Sequence, residues 1–312
     1  MNQHKGEQDS TNRVYMTMNI LITGSSGLVG THLMGVLAAS GHKVQRMLRG
    51  EAGEQSFFWD PTRGTIHFDE AIKIDAVIHL AGESIANGRW SDERKKRILE
   101  SRESSTLLLS ESLATLKHRP AVLISGSAIG YYGDTDTRIV DEDNAQGTGF
   151  LAEVSERWEK ATKPASDAGI RTVHIRTGVV LSPNGGMLQK LLLPFKMGLG
   201  GIVGSGQQYL SWVSINDIAS MIQFLLENES MSGAVNLVSK QPVTNYTFTK
   251  TLGSVLNRPT VFPLPSWVAR LVFGEMADAL LLSSTRVLPK RLSEAGYNFI
   301  DVDLDKTLQS LL

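Results

Sequence analysis

Three glycines at positions 24, 27 and 30, directly behind the apolar run Met18-Asn19-Ile20-Leu21-Ile22-Thr23, are spaced to hold the phosphates of a dinucleotide. The first lets the chain turn sharply off a strand, the second lets backbone N–H groups approach a pyrophosphate, and the third lets a helix pack closely. A helix starting there points its positive dipole end at the phosphates. The candidate contacts are Gly24, Ser26, Gly27, Leu28, Val29 and Gly30, although an ordinary tight strand-to-helix turn would use the same glycines. About twenty positions further on, an acidic residue would bind an adenosine ribose, whereas an arginine suits a 2′-phosphate. The second strand, Val44-Gln45-Arg46-Met47-Leu48-Arg49, ends on arginine and carries no Asp or Glu. Arg49 therefore favours NADP over NAD, the alternative being a solvated cation at a strand end.

The run Asp75-Ala76-Val77-Ile78-His79-Leu80-Ala81-Gly82-Glu83 ends in small residues, so a cofactor can lie against the backbone of Leu80, Ala81, Gly82 and Glu83. His79, inside an apolar strand, reads as a satisfied core histidine in preference to a catalytic one.

Apolar runs at Asn19–Thr23, Lys43–Leu48, Ala76–Leu80, Val122–Ser125, Thr172–Ile175 and Ala234–Val238 must position these groups. Helical patterns separate them at Gly30–Ala39, Asp92–Leu116 and Phe150–Ala168, the last closed by Gly169. This alternation predicts an α/β fold, a doubly wound parallel Rossmann sheet. Past residue 181, glycine and proline cluster between Pro183 and Gly206, which marks a switch toward a smaller substrate-covering α/β region. The expected organisation is a flexible tail over 1–17, a dinucleotide-binding domain over 18–181 and a covering region over 182–312. Part of 205–238 returns to the main sheet.

With 31 basic and 32 acidic residues, nothing in the bulk charge attracts nucleic acid or an anionic membrane. There is no cysteine, so disulfides, thiol nucleophiles and thiolate metal sites are excluded, and the seven histidines show no metal-ligand spacing. The first seventeen residues lack the apolar core of a signal peptide, and no later apolar run reaches the ~20 residues of a membrane span. A cytoplasmic protein is expected.

The strand Ala121-Val122-Leu123-Ile124, followed by Ser125-Gly126-Ser127-Ala128-Ile129-Gly130-Tyr131-Tyr132-Gly133, resembles the extended short-chain dehydrogenase/reductases when taken with Thr23–Gly30 and Leu80-Ala81-Gly82. Further segments narrow the resemblance, among them Glu83-Ser84-Ile85, Arg89-Trp90, Ser101-Arg102, Trp158-Glu159, Gly204-Ser205-Gly206-Gln207, Ser211-Trp212-Val213 and Asn216-Asp217. They are similar to the atypical subfamily of NADP-binding oxidoreductases and nucleoside-diphosphate-sugar epimerases. Arg258-Pro259, Pro263-Leu264-Pro265, Gly274-Glu275, Arg286-Val287-Leu288-Pro289 and Gly296-Tyr297-Asn298-Phe299 extend the match through that subfamily's own C-terminal segment, here 258–306.

The resemblance implies a serine after the β-strand at 122–125, which Ser127 matches best with Ser125 behind it, and a Tyr-x-x-x-Lys pair on the next helix. Phe150 and Val154 stand at those places, and no tyrosine lies between Gly133 and Gln208, so a slip in register cannot restore the proton relay. Ser127 can equally bond nearby backbone. Tyr131 or Tyr132 can supply the missing proton, or the pair can pack over the cofactor edge or the core. Glu83 and Glu153 are weaker acid candidates. Arg102, where relatives often carry asparagine, can meet the cofactor or a substrate anion, or be a helix-surface cation. Gln207, Tyr209 and Trp212 fall in the segment that faces substrate in the family, with Trp212 equally a core residue. Asn216-Asp217 reads as a cap for a helix over Ile218–Glu227.

Two functions follow. One is an NADP(H)-dependent oxidoreductase, or an epimerase acting through transient hydride transfer, on a small sugar nucleotide or carbonyl compound. The other is a non-catalytic NADPH-binding sensor or scaffold. Relatives also suggest a homodimer formed through Asp92–Leu116 and Phe150–Ala168.

Overall fold

The computed structural model describes residues 17–50 and 57–312. All of the expected tail except Thr17 lies outside the described residues. The main sheet has eight strands: β1 (Asn19–Thr23), β2 (Lys43–Arg49), β3 (Phe57–Asp60), β4 (Thr65–Phe68), β5 (Ala76–His79), β6 (Val122–Ala128), β7 (Arg171–Thr177) and β8 (Gly233–Leu237). Their order is β8-β7-β6-β5-β1-β2-β3-β4. Every neighbouring pair is parallel except β3–β4.

The strands read as continuous apolar runs because both faces of the sheet are covered. On one face Ile22, Ile78, Ile124 and Val173 pack against α1 (Leu28–Ala39) and the helix Ile215–Glu227. On the other, Leu21, Val77 and Leu123 meet Leu109 and Leu113 of α2 (Asp92–Thr115). Chain order reverses at β1, which lies between β5 and β2. In open α/β sheets the crevice beyond the carboxyl ends of the strands at such a reversal receives the ligand.

Four local features depart from the sequence reading. The β3–β4 hairpin was not expected; its turn is fixed by the Asp60 carboxylate, which accepts from Thr62 N at 2.9 Å and from the Thr62 hydroxyl at 2.6 Å. The helix expected over Phe150–Ala168 is two helices, α3 (Phe150–Lys160) and α4 (Lys163–Asp167). Pro164, with no N–H to give, sits in the first turn of α4, where that donor has no intrahelical partner. The helix expected from Ile218 begins at Ile215, capped by Ser214 Oγ, which accepts from Asp217 N at 2.9 Å. Asp217 instead lies buried and accepts the Tyr297 hydroxyl at 2.6 Å, which ties the C-terminal segment to this helix.

His79 joins three elements at the crevice. Its Nδ1 pairs with the Thr23 hydroxyl of β1 at 2.6 Å, and its Nε2 with the Thr106 hydroxyl of α2 at 2.8 Å. Complete burial pushes its pKa down to about 3, so the ring stays neutral in the folded protein. The sign of the pH effect follows from that depression. Between pH 6.5 and about 3 the unfolded chain binds a proton that the folded chain refuses, so stability falls as pH drops through this window. We expect this group to contribute up to about 1.4 kcal/mol of loss per pH unit there. Urea unfolding of wild type and His79→Asn across that range checks it, the variant losing this share of the pH slope.

Candidate functional site

Gly24 has φ +67°, and a Cβ there would lie 2.6 Å from the Leu80 carbonyl carbon and 2.8 Å from Ala81 N. A Cβ on Gly30 would lie 2.3 Å from Gly24 O. The glycine loop is thus pressed between the end of β5 and the first turn of α1, at separations that only glycine permits. Gly27 caps α1 without a side-chain hydrogen bond, and the first turn holds no acidic residue. The N–H groups of Leu28, Val29 and Gly30 therefore have no acceptor within the helix. The Leu28 and Val29 side chains pack against the core, and neither residue, nor Gly30, is in the lining of the cleft that Gly24, Ser26 and Gly27 border.

That cleft encloses about 370 Å³ and is lined by Gly24, Ser26, Gly27, Arg49, Leu80, Ala81 and Gly82, with Trp59 beneath. Arg49 is exposed and has no ion pair among the described residues. An uncapped helix start, a glycine cradle and an exposed arginine suit a phosphorylated dinucleotide. Glu83 faces elsewhere, pairing with Arg94 at 3.0 Å and Arg97 at 3.6 Å. Ser125 is wholly buried and touches neither this cleft nor the cavity beyond it.

Beyond Gly82 lies a cavity of about 270 Å³ at the carboxyl ends of β6 and β7. Its walls are mostly apolar: Ile85, Ala128, Ile129, Leu151, Val154, Trp158, Val179, Leu210, Ala279 and Leu280. Ser155, Thr177, Tyr209, Ser211, Ser283 and Thr285 add hydroxyls, and among the described residues Arg102 is the one charged side chain in the lining. Arg102 projects from α2 past Gly82, where a Cβ would stand 3.3 Å from its guanidinium carbon, a tight contact. Its Nη1 donates to Ile98 O at 3.0 Å and its plane lies 5.0 Å from the Trp158 ring centre. Burial lowers its pKa to about 10 against the pull of Glu83, so it remains a cation at neutral pH.

Ser127, Tyr131 and Tyr132 do not face this cavity. The Ser127 hydroxyl donates to Glu159 Oε1 at 2.6 Å. Arg176 grips both oxygens of the same carboxylate at 2.8 and 2.9 Å and gives Nη1 to the Tyr132 hydroxyl at 3.0 Å. Tyr132 in turn donates to Asn236 Oδ1 at 2.8 Å, and the Tyr131 ring lies 3.4 Å from the guanidinium carbon of Arg176. Burial pushes the Tyr132 phenol up to about 12 despite Arg176, which makes it a poorer proton donor than a free tyrosine. Desolvation pulls the Arg176 pKa down, and Glu159 with Tyr132 more than offsets it, holding the guanidinium charged.

The remaining candidates separate in the same way. Tyr209 lines the cavity, with Arg286 4.4 Å from its ring centre. Trp212 is fully buried in the core and donates to Gln241 O at 3.0 Å, and Gln207 is exposed outside the lining. On α3 the cavity meets Leu151, Val154, Ser155 and Trp158, whereas Phe150 stacks edge-on against Trp90 with ring centres 5.1 Å apart. Sequence reasoning missed Ala128, Leu151 and Ser155, each one residue beyond a position it had named. It also missed Ala279, Leu280, Ser283 and Thr285, for which no local pattern offered a signal.

The model of the NAD dependent epimerase/dehydratase family matches residues 20–237. A domain of unknown function, DUF1731, matches residues 264–311. An epimerase family protein of Mycobacterium bovis is 44% identical over 281 residues, covering 90% of this chain and 93% of its own. The crystal structure of human epimerase family protein SDR39U1 (isoform 2) with NADPH has TM-score 0.86 and 33% identity, over 94% of this chain and 99% of that one. A nucleoside-diphosphate sugar epimerase from Corynebacterium glutamicum has TM-score 0.78 and 34% identity, over 95% of this chain and 58% of that one.

The buried network yields a prediction about stability. Arg176→Leu leaves the Glu159 carboxylate without its main partner and is expected to cost about 3–5 kcal/mol, whereas Ser127→Ala costs about 1 kcal/mol. Urea unfolding measures both; equal small losses would show that the pair does not hold the cavity's rear wall.

Proposed function

Because the chain belongs to the NAD-dependent epimerase/dehydratase family, we propose that it binds NADP(H) across the β1/β5 crevice and carries out redox chemistry on a small carbonyl compound. The single observation that supports this reading is the place of Gly82. It lines the dinucleotide cleft and lies against the guanidinium of Arg102, which lines the apolar cavity, so the two spaces are one residue contact apart. The human relative solved with NADPH agrees with it.

Gly24, Gly27 and the first turn of α1 would hold the pyrophosphate, Leu80 to Gly82 would flank the dinucleotide, and Arg49 would take the 2′-phosphate. When bound, NADPH supplies a hydride to a carbonyl carbon. The chain must then deliver a proton to the carbonyl oxygen and keep water out. The apolar walls do the second. For the first, α3 offers neither a phenol nor an amine to the cavity, and Tyr209 is the one tyrosine in its lining. We therefore assign proton delivery to Tyr209, with solvent restoring the proton between turnovers.

Two measurements test this reading. Arg49→Ser should weaken NADPH binding roughly tenfold to a hundredfold, the worth of a charge-assisted phosphate contact, and leave NADH binding unchanged. Equal losses for both cofactors would remove Arg49 from the 2′-phosphate. Tyr209→Phe should lower kcat for aldehyde reduction by about 10²–10⁴ with NADPH affinity intact. If the wild type binds NADPH but turns over no member of a broad carbonyl panel, the positions of α3 lacking a proton relay mark a cofactor sensor instead.

A further inference from the structure

We infer that the cavity selects a compact, largely apolar carbonyl compound bearing one carboxylate, held by Arg102, and rejects nucleoside-diphosphate sugars. The inference rests on the proposed NADP(H)-linked function and specifies its substrate.

The first ground is the state of Arg102. Arg102 is half-buried, and a guanidinium facing a pocket of aliphatic and aromatic side chains gives its free N–H groups to water until a carboxylate meets them. Here the nearby carboxylate, Glu83, is committed to Arg94 and Arg97. Among the described residues Arg102 has one hydrogen bond, to the Ile98 carbonyl, and a stacking contact with Trp158. Its remaining N–H groups form a planar fork suited to two carboxylate oxygens.

The second ground is size and charge around the cavity. Its volume, about 270 Å³, falls just below the roughly 300–1,000 Å³ of sites for drug-sized ligands. A longer ligand extending along the wall would enter an adjoining cavity of about 240 Å³, which shares Gly130, Leu151, Ala279, Ser283 and Thr285 with the first. That exit is lined by Asp134, Glu275 and Asp278. The cations nearest these carboxylates are already used, Lys95 by Glu275 at 2.8 Å and Arg270 by Asp278 at 2.9 Å. Glu275 and Asp278 are offset by those pairs, and Asp134 has no ion pair among the described residues, so a diphosphate passing there would meet the like charge of Asp134, whereas a ligand with a single carboxylate ends at Arg102 and leaves the exit to solvent. Trp158, stacked under the guanidinium, offers a flat apolar wall for the rest of such a molecule.

The test compares three probes by calorimetry on the full chain, with and without saturating NADP⁺: 4-formylbenzoate, benzaldehyde and UDP-glucose. Expected for the wild type is binding of 4-formylbenzoate at least tenfold tighter than benzaldehyde, with UDP-glucose weakest. Arg102→Gln should bring the two aldehydes within twofold while NADP⁺ affinity stays within twofold of wild type, and Arg102→Lys should keep part of the preference. The inference is overturned if the wild type shows no preference, fails to bind 4-formylbenzoate at millimolar concentration, or binds UDP-glucose more tightly. It is also overturned if the preference survives in Arg102→Gln, or if that variant loses NADP⁺ affinity as strongly as carboxylate affinity. The wild-type comparison decides even if the glutamine variant does not fold. Failure of NADP⁺ to bind the wild type would instead refute the proposed cofactor, while the preference measured without cofactor still judges Arg102.

Discussion

The backbone of Gly24 rests on the Leu80 carbonyl and Ala81 amide so closely that no side chain fits between them. This contact sets how near the end of β1 comes to the end of β5, and much of the candidate site follows from it. With the loop held down, Gly30 can tuck α1 against Gly24 O, and the helix opens on the cleft with its first N–H groups unclaimed. The His79 clamp to Thr23 and Thr106 braces the same junction from below and brings α2 against it. Because α2 is brought there, Arg102 can pass Gly82 and reach the cavity. Glycine at 24 thus permits close backbone approach at the cleft, and glycine at 82 leaves the Arg102 guanidinium uncrowded.

The wall of the cavity is built by alternation. Along β6 and β7, neighbouring side chains point to opposite sides. Ser127 and Arg176 turn into the buried ion-pair network, and their successors Ala128 and Thr177 line the cavity. On α3 the same division separates Glu159, which anchors the network, from Trp158, which faces the cavity. A rigid charged layer therefore backs a nearly uncharged pocket. Leaving Tyr132 in that layer, with its phenol raised to about 12, gives it a structural part, whereas Tyr209 lines the cavity.

The sheet and the glycine loop were legible in the sequence because their signals are local: apolar runs of strand length and glycines at fixed spacing. The run read as Asn19–Thr23 is β1 to the residue. The cavity was less legible because which side of a strand or helix a residue occupies depends on distant packing. Tyr132 is turned by Arg176, 44 residues away, and Ser127 by Glu159 on another element. One residue of rotation on α3 exchanges Phe150 for Leu151, a shift that motif spacing alone does not fix. The C-terminal residues Ala279 to Thr285 enter the lining through tertiary contacts and carry no motif of their own.

The account depends on cleft and cavity forming one continuous site. A crystal structure of the chain with NADP⁺ tests this most directly. The account predicts the 2′-phosphate at Arg49, the pyrophosphate at the start of α1 and the nicotinamide inside the cavity with Tyr209. A dinucleotide whose nicotinamide lies outside that cavity, or whose 2′-phosphate lies away from Arg49, would contradict it.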